Sequence, residues 1–414
     1  MTEPTSNPND VRMRGFAQRA RVEDAWTWIA NSAETLGSET VPLAEATGRV
    51  LADAVIAPLN VPAFDRSAMD GYAVRADETD GAADYTPLTL KILGESLPNQ
   101  PFAGEVTRGT AVRIMTGAPV PTGADAVLPV EYASEREGQL ELTTTVPPGK
   151  HIGRVGEDVK AGTELLPFGR RLRPQDVGVL ASVGLPEVSV VRRPTVRVLI
   201  TGNELVQPGQ SRGEHQIFEA NSHLLRGLIE RDGAVLESVR LLPDDRDAIR
   251  NGLIDPGADV LLVSGGSSVG KEDHAPSLVQ EVGTLDIHGV AMRPSSPAGM
   301  GRIGEAFVFL LPGNPVSCLC AYDFFAGRTI RNLGGWNTEW PYTRQTGTLT
   351  KKIVSMVGRV DYCRVVIQDG RVTPLAVSGA SILSSTTRAN GFVIVPGEHE
   401  GYAAETEVTV FRYD

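Results

Sequence analysis

Val196-Arg197-Val198-Leu199-Ile200-Thr201-Gly202 is a short apolar run that stops on a threonine and a glycine. Such a run, too short for a helix and bounded by loop residues, reads as a buried strand. Working outward, Leu224, Leu225, Leu228 and Ile229 form a helical stripe, with Asn221 placed to cap its start and Gly233 its end. Val235 to Leu242 is a second extended run, and Asp244 or Asp245 can cap the helix that follows. Val260-Leu261-Leu262-Val263 is a third, ending in Ser264-Gly265-Gly266. Phe307 to Leu311 is a fourth. It leads through Pro312-Gly313-Asn314-Pro315 into an apolar helix from Val316 to Leu333, where Asn314 suits the N-cap and Pro315 the first helical position. Strands alternating with helices of this length predict an α/β domain with a mainly parallel, doubly wound sheet.

The flanks read differently. Val22, Ala25, Trp26, Ile29 and Ala30 lie on one helical face, with Gly37 in the stop region, and Leu43 to Ala52 carries a second short apolar face. From about Leu59 to His151 the chain is β-rich: Leu88, Leu90 and Ile92 alternate with polar residues, as do Leu140 and Leu142, and Pro147-Pro148-Gly149 reads as a connector. From about Thr348 the chain returns to β. Arg364 to Gln368 and Arg371 to Leu375 flank the hairpin signal Asp369-Gly370, and Phe392 to Val395 and Val408 to Phe411 add two strands.

Composition bounds the function. At about 150 residues per domain, 414 residues predict two to four domains. Lys and Arg number 39 against 51 Asp and Glu, a net charge of −12, which argues against a broad grip on nucleic-acid phosphates. A small anion can still be held by backbone N–H groups or through a metal. Charges interrupt every hydrophobic stretch, so no membrane span is expected. The opening MTEPTSNPND lacks the apolar core of an export signal. Three cysteines, Cys318, Cys320 and Cys363, cannot form a disulfide framework, and no Cys/His set has zinc spacing. A reducing, cytoplasmic setting is the expectation.

In an open α/β sheet, ligands collect at the carboxyl ends of the strands. Three polar loops fall there: Thr201 to Glu204, Ser264 to Asp273, and Pro312 to Pro315. The middle loop offers backbone N–H groups and hydroxyls to a phosphate, with a helix dipole behind it; a tight turn that needs glycine is the competing reading. Gly265 through Lys271 fits G-x-x-x-x-G-K, but Glu272 stands where a P-loop needs Ser or Thr, so that reading fails. Glu204, Asp244 and Asp273 lie just beyond predicted strand ends, where clustered carboxylates hold Mg²⁺ against phosphate oxygens. A helix cap for Asp244 and a solvated charge for Glu204 are the alternatives. The six histidines show no Ser-His-Asp arrangement; His274, beside Asp273, is the one worth watching.

Six motifs run in order along most of the chain: FDRSAMDGYAV from Phe64, RIMTGAPVPTGADAV from Arg113, GRVGEDV from Gly153, TGNEL from Thr201, SGGSSVGKED from Ser264 and LPGNPVS from Leu311. Together they resemble the MoeA family of molybdopterin molybdenumtransferases, which includes the E domain of gephyrin. The resemblance implies an α/β multidomain protein. Residues 1–53 with 156–192 would form a helical and extended N-terminal part, 54–155 a β-rich insert, 193–338 a molybdopterin-binding domain and 339–414 a C-terminal β-barrel-like domain. It further implies a cytoplasmic homodimer whose active cleft lies between the α/β domain of one subunit and the insert of the other.

The implied reaction inserts molybdate into adenylylated molybdopterin, with Mg²⁺-dependent release of AMP, in molybdenum cofactor biosynthesis. By motif, Asp70, Thr116, Asp158, Glu204, Asp244 and Asp273 are the candidate catalytic positions, and Glu204, Asp244 and Asp273 the Mg²⁺ ligands. Ser264, Gly265, Gly266, Ser267 and Ser268 would cradle the pterin phosphate, with Arg293, Pro312, Gly313 and Asn314 as further cofactor-binding residues. An upstream molybdopterin adenylyltransferase is a candidate partner. The chain departs from the family pattern where K-P-G-K-P is common, reading Arg293-Pro294-Ser295-Ser296-Pro297, and has Gly289 where another lysine is expected. Asn203 stands where aspartate is frequent and Ala380 where serine is. The lysines missing from the Arg293–Pro297 run and at Gly289 keep open a non-catalytic molybdopterin carrier or scaffold, and insertion of another oxyanion such as tungstate stays open because each oxyanion would meet the same kinds of ligands.

Overall fold

In the computed structural model, which describes residues 18–255, 257–267, 273–376 and 379–413, the run around Val198 is a central strand of a six-stranded sheet. The opening MTEPTSNPND stretch, Ser268 and the Gly270-Lys271-Glu272 end of the glycine loop lie outside the described residues. By its contacts the chain divides into two compact units. One takes residues up to Glu39, Gly48–Val50 and Val190 onwards; the other takes Thr40–Thr47 and Leu51–Ser189.

The sheet of the first unit has strands β1 (Thr195–Thr201), β2 (Val235–Leu242), β3 (Val260–Ser264), β4 (Thr284–His288), β5 (Gly299–Ile303) and β6 (Ala306–Leu311). Their order is β2-β1-β3-β6-β5-β4. The first four run parallel, and β5 and β4 are antiparallel additions that the sequence pattern does not predict. The chain steps one way from β1 to β2 and the other way to β3, so the sheet has a switch point beside β1.

Helices α1 (Val22–Ser32), α2 (Asn221–Arg231), α3 (Arg246–Ile254), α4 (Ala275–Val282), α5 (Pro315–Ala321) and α6 (Gly327–Leu333) cover the two faces. Alternation along the strands explains why both are needed. Val196, Val198, Ile200, Val260, Leu262, Phe307 and Phe309 face a core shared with Val22, Ala25 and Ile29 of α1 and Leu225 and Ile229 of α2. The intervening Leu199, Leu261, Val263, Val308 and Leu310 face Ile249 and Leu253 of α3 and Leu278 and Val279 of α4. Each fully buried aliphatic side chain contributes about 1.5–3 kcal/mol of transfer free energy, so a one-sided strand pattern could not hold both helix layers.

The helix expected over Val316–Leu333 is present but not uniform, because a π-helical segment, Tyr322–Ala326, joins α5 to α6. Its Asp323 carboxylate is fully buried, where it accepts from Arg231 at 2.9 Å and from the Tyr342 hydroxyl at 2.8 Å. Burial pushes the Asp323 carboxyl up, and the Arg231 charge opposes this.

The tail is a closed five-stranded barrel: β7 (Thr343–Leu349), β8 (Val360–Gln368), β9 (Arg371–Ala376), β10 (Gly391–Val395) and β11 (Glu407–Arg412) run in the order β8-β9-β7-β11-β10, with β10 pairing back to β8. Asp369 and Gly370, at φ 49° and 74°, make the predicted hairpin turn. Val365, Ile367, Val372, Val393, Val395 and Val410 fill its interior.

The second unit holds a mixed six-stranded sheet in the order Ala126–Pro129, Gly71–Val74, Thr110–Ile114, Leu88–Ser96, Gln139–Leu142, Ala133–Arg136. Leu88 lies opposite Leu142 and Leu90 opposite Leu140, so the two alternating runs read from the sequence are partners. Helix Pro174–Ser182 follows in the same unit, while of the Leu43–Ala52 face only Leu43–Glu45 is helical, as a single 3₁₀ turn.

Candidate functional site

The carboxyl ends of β1, β3 and β6 open into a cleft of about 670 Å³ at the switch point of the sheet. Gly265 and Gly266 follow β3 at φ 97° and 54°. A Cβ on Gly265 would lie 2.2 Å from the Thr201 carbonyl oxygen, so only glycine lets this loop close against the end of β1. The Gly265 N–H donates to the Leu311 carbonyl at 3.3 Å, which ties the glycine loop to the Pro312-Gly313-Asn314 turn. Pro315 opens α5 as expected, but Asn314 does not cap it with its side chain; its Oδ1 accepts instead from the Ser381 hydroxyl at 2.7 Å.

Glu204, Asp244 and Asp273 all line this cleft, together with the buried Glu219. The structure resolves the choice of helix cap. Asp245 caps α3, accepting from the Ala248 N–H at 2.8 Å, and Asp244 is left to the cleft. Asp244 is held by a reciprocal pair: its Oδ2 accepts from the Asn203 N–H at 3.0 Å and its N–H donates to Asn203 Oδ1 at 3.2 Å. Among the described residues no three His, Cys, Asp or Glu side chains gather closely enough to hold a metal by themselves. The donor set suits Mg²⁺ nevertheless, because that ion is bound by one or two carboxylates plus substrate phosphates rather than by an all-protein cage. No Lys or Arg is found among the described residues lining the cleft.

The other loop residues have distinct places. Ser264 is fully buried; its hydroxyl accepts from Asn221 at 2.9 Å and donates to Cys318 Sγ at 3.7 Å. The Ser267 carbonyl meets the His288 ring at 3.1 Å. Burial pushes the His288 imidazole down, opposed by that carbonyl and by the charge of Asp273. Arg293 lines a neighbouring pocket that shares Pro297, Pro312 and Asn314 with the cleft. Its guanidinium is paired with the buried carboxylate of Asp361, which also accepts from Ser355 at 2.8 Å and pairs with Arg359 at 3.1 Å.

Asp70, Thr116 and Asp158 belong to the second unit. The Asp70 and Thr116 loops are stitched together by the Gly117 N–H on the Ser67 carbonyl at 2.8 Å and the Ser67 N–H on the Ala118 carbonyl at 2.9 Å. Asp70 Oδ1 then accepts from the Thr116 N–H at 2.6 Å and hydroxyl at 2.7 Å, which holds its carboxyl below the usual range. Asp158 is exposed on a loop anchored by its own N–H on the Val61 carbonyl at 3.1 Å. Its motif joins the first through Asp65, which accepts from Arg154 at 2.6 Å and from the Val155 N–H at 2.9 Å.

Family models match the chain in three consecutive blocks: the MoeA N-terminal region (domain I and II) over residues 20–184, a probable molybdopterin binding domain over 197–332, and the MoeA C-terminal region (domain IV) over 346–413. The chain belongs to the MoeA family. Molybdopterin molybdenumtransferase 2 of Mycobacterium tuberculosis (strain ATCC 25618 / H37Rv) is 36% identical over 388 residues, covering 90% of this chain and 94% of that relative. Molybdopterin molybdenumtransferase of Haemophilus influenzae is 34% identical over 384 residues, covering 90% and 93%. A crystal structure of the molybdopterin biosynthesis MoeA protein from Pyrococcus horikoshii OT3 superposes with a TM-score of 0.80 at 31% identity, covering 96% of this chain and 100% of the other. Apart from Ser381, the described lining of the switch-point cleft thus lies within the block matched by the molybdopterin binding model.

Sequence reasoning missed part of the cleft. Ile217 and Phe218, 52% and 49% exposed, form an apolar rim, and Asn221 also lines the cleft, beside the Thr201 loop that the sequence did place there. Asn221 reads as a helix cap from sequence, yet it is the first residue of α2, after Ala220, and its side chain caps nothing. No local signal ties Asn221 to the sheet, because it opens a helix twenty residues after the end of β1.

Proposed function

We propose that this protein is a molybdopterin molybdenumtransferase of molybdenum cofactor biosynthesis. It would take adenylylated molybdopterin and molybdate, and release AMP with Mg²⁺ as cofactor. The observation that carries the reading is the meeting, in one switch-point cleft, of a glycine loop closed on a Pro-Gly-Asn turn with Glu204, Asp244 and Asp273. Backbone N–H groups of such loops hold phosphate oxygens, and carboxylates beside them repel phosphate unless a divalent ion intervenes. When bound, Mg²⁺ would supply charge neutralisation at the phosphate bond that is cleaved. One or two of Asp244, fixed by Asn203, Glu204 and Asp273 would hold the ion together with the substrate's phosphate oxygens; Gly265, Gly266 and Gly313 would leave room for the pterin phosphate.

Asp70, Thr116 and Asp158 enter the reading through the resemblance, with Asp70 kept ionised by Thr116 and so fit to orient water or a cation-bound group. A homodimer, a cytoplasmic setting and supply of the pterin by an upstream adenylyltransferase complete it. The three cysteines are free and buried, and among the described residues no helix is long and apolar enough to cross a membrane, which is compatible with that setting.

The test is AMP release by the purified protein given Mg²⁺, molybdate and adenylylated molybdopterin, with sedimentation to establish the dimer. Release that is absent from a folded wild type would remove the reading. The carrier alternative has one observation in its favour, the commitment of Arg293 to Asp361 in a run without lysine. Pterin binding indifferent to Mg²⁺, without AMP release, would select it; tungstate in place of molybdate tests the remaining alternative.

A further inference from the structure

Asn221 is 7% exposed and its amide orientation is fixed. Its Nδ2 donates to the Gly313 carbonyl at 2.7 Å and to the Ser264 hydroxyl at 2.9 Å. A carbonyl only accepts, so the nitrogen must face Gly313 and both of its hydrogens are engaged. Asn221 lines the cleft, and its Oδ1 is buried with no hydrogen-bond partner among the described residues. The hydroxyl of Thr201, 3% exposed, is in the same condition. A Cβ on Gly265 or Gly266 would come within 2.9 or 3.0 Å of that hydroxyl oxygen, so only glycine lets the loop pack this closely on it. Buried polar groups without partners are rare in proteins, and two of them in the floor of one cleft mark where a ligand completes the hydrogen bonding.

The two groups select different chemistry. A hydroxyl can donate to an oxyanion. The amide oxygen can only accept, and it would repel an oxyanion placed against it. We propose that Asn221 is a specificity-determining residue of the cleft, whose Oδ1 accepts a hydrogen bond from an N–H or O–H group of the organic part of the ligand, while Thr201 donates to its phosphate. The ligand class is therefore a phosphate-bearing heterocycle that carries a donor next to its phosphate arm, with the apolar rim of Ile217 and Phe218 available to a planar ring. This deepens the molybdopterin reading and rests on it. Ser264 acts as a positioning residue, since its hydroxyl receives one Asn221 hydrogen.

The experiment compares two probes on the full chain: molybdopterin, which carries donors, and sulfate, a phosphate-like dianion with no hydrogen to donate. Asn221→Ala is expected to weaken molybdopterin about 10-fold or more while sulfate stays within twofold of wild type, and Thr201→Val to weaken both. Equal weakening of both probes by Asn221→Ala would mean a purely structural role, and an unchanged molybdopterin affinity would mean no contact; either overturns the proposal. If the variant does not fold, wild-type protein labelled at the Asn carbonyl decides. Its Asn221 carbonyl resonance should shift with molybdopterin and not with sulfate, and the reverse pattern or no shift overturns the proposal. Wild type that binds sulfate but no molybdopterin removes the functional reading and the inference together, whereas AMP release with an indifferent Asn221→Ala removes the inference alone.

Discussion

One oxygen of Asp70 takes both the N–H and the hydroxyl of Thr116, at 2.6 and 2.7 Å. Two donors on one carboxylate oxygen stabilise the charged form, chiefly through the backbone bond. Removing the hydroxyl in Thr116→Val should raise the Asp70 pKa toward the ordinary value of about 3.9. The sign for stability follows. A carboxyl depressed on folding stabilises above its unfolded pKa, and that stabilisation fades as pH falls through the folded value. Carbon NMR titration of the Asp70 carboxyl in wild type and variant checks it; an unmoved midpoint would contradict the geometry.

Neighbouring aspartates at the start of α3 should separate cleanly. Asp245→Ala loses the cap and should cost about 1 kcal/mol in thermal or urea unfolding, with AMP release retained. Asp244→Ala should leave stability within about 0.5 kcal/mol and abolish AMP release or raise its Mg²⁺ requirement at least tenfold. Matching losses of stability in both variants would contradict this division of labour.

Gly265→Ala meets both a left-handed φ of 97° and the Thr201 carbonyl oxygen 2.2 Å from the new Cβ. It should destabilise by about 2 kcal/mol or more and weaken phosphate-bearing ligands. Gly227→Ala, in the interior of α2 with nothing within 4 Å, should instead stabilise by about 0.5–1 kcal/mol. Paired melting curves of the two variants give the answer.

Arg293→Ala leaves the buried Asp361 carboxylate with Arg359 and Ser355 as its partners. A loss of about 2 kcal/mol in urea unfolding is expected. If Arg293 binds the pterin as well, molybdopterin affinity falls beyond what the loss of folded protein explains; calorimetry on the folded fraction separates the two effects.

Much of the α/β unit was legible in the chain. The apolar runs at Val196, Val260 and Phe307 are buried on both faces of a parallel sheet, and their short length between loop residues is what marks them as strands. Thr284–His288 and Gly299–Ile303 were not legible, since two glycines within Gly299–Ile303 break the pattern and the antiparallel edge strand Thr284–His288 needs little of it. The cap at α3 was narrowed to two residues, because Asp244 and Asp245 differ by one step and only the backbone direction selects between them. Asn221 was read as a cap because residue type and spacing describe neighbours in sequence, while its partners, Ser264 and Gly313, are 43 and 92 positions away.

The sequence by itself determined the strand and helix alternation, the polar loops at strand ends and the six ordered motifs of the MoeA family, because each is written in local residue order. Only the tertiary structure decided which buried oxygens at the cleft lack a partner, which carboxylate is turned to the cleft, and which strands pair to close the barrel. Those outcomes depend on distances between residues far apart in the chain, and such distances exist only once the sheet has packed.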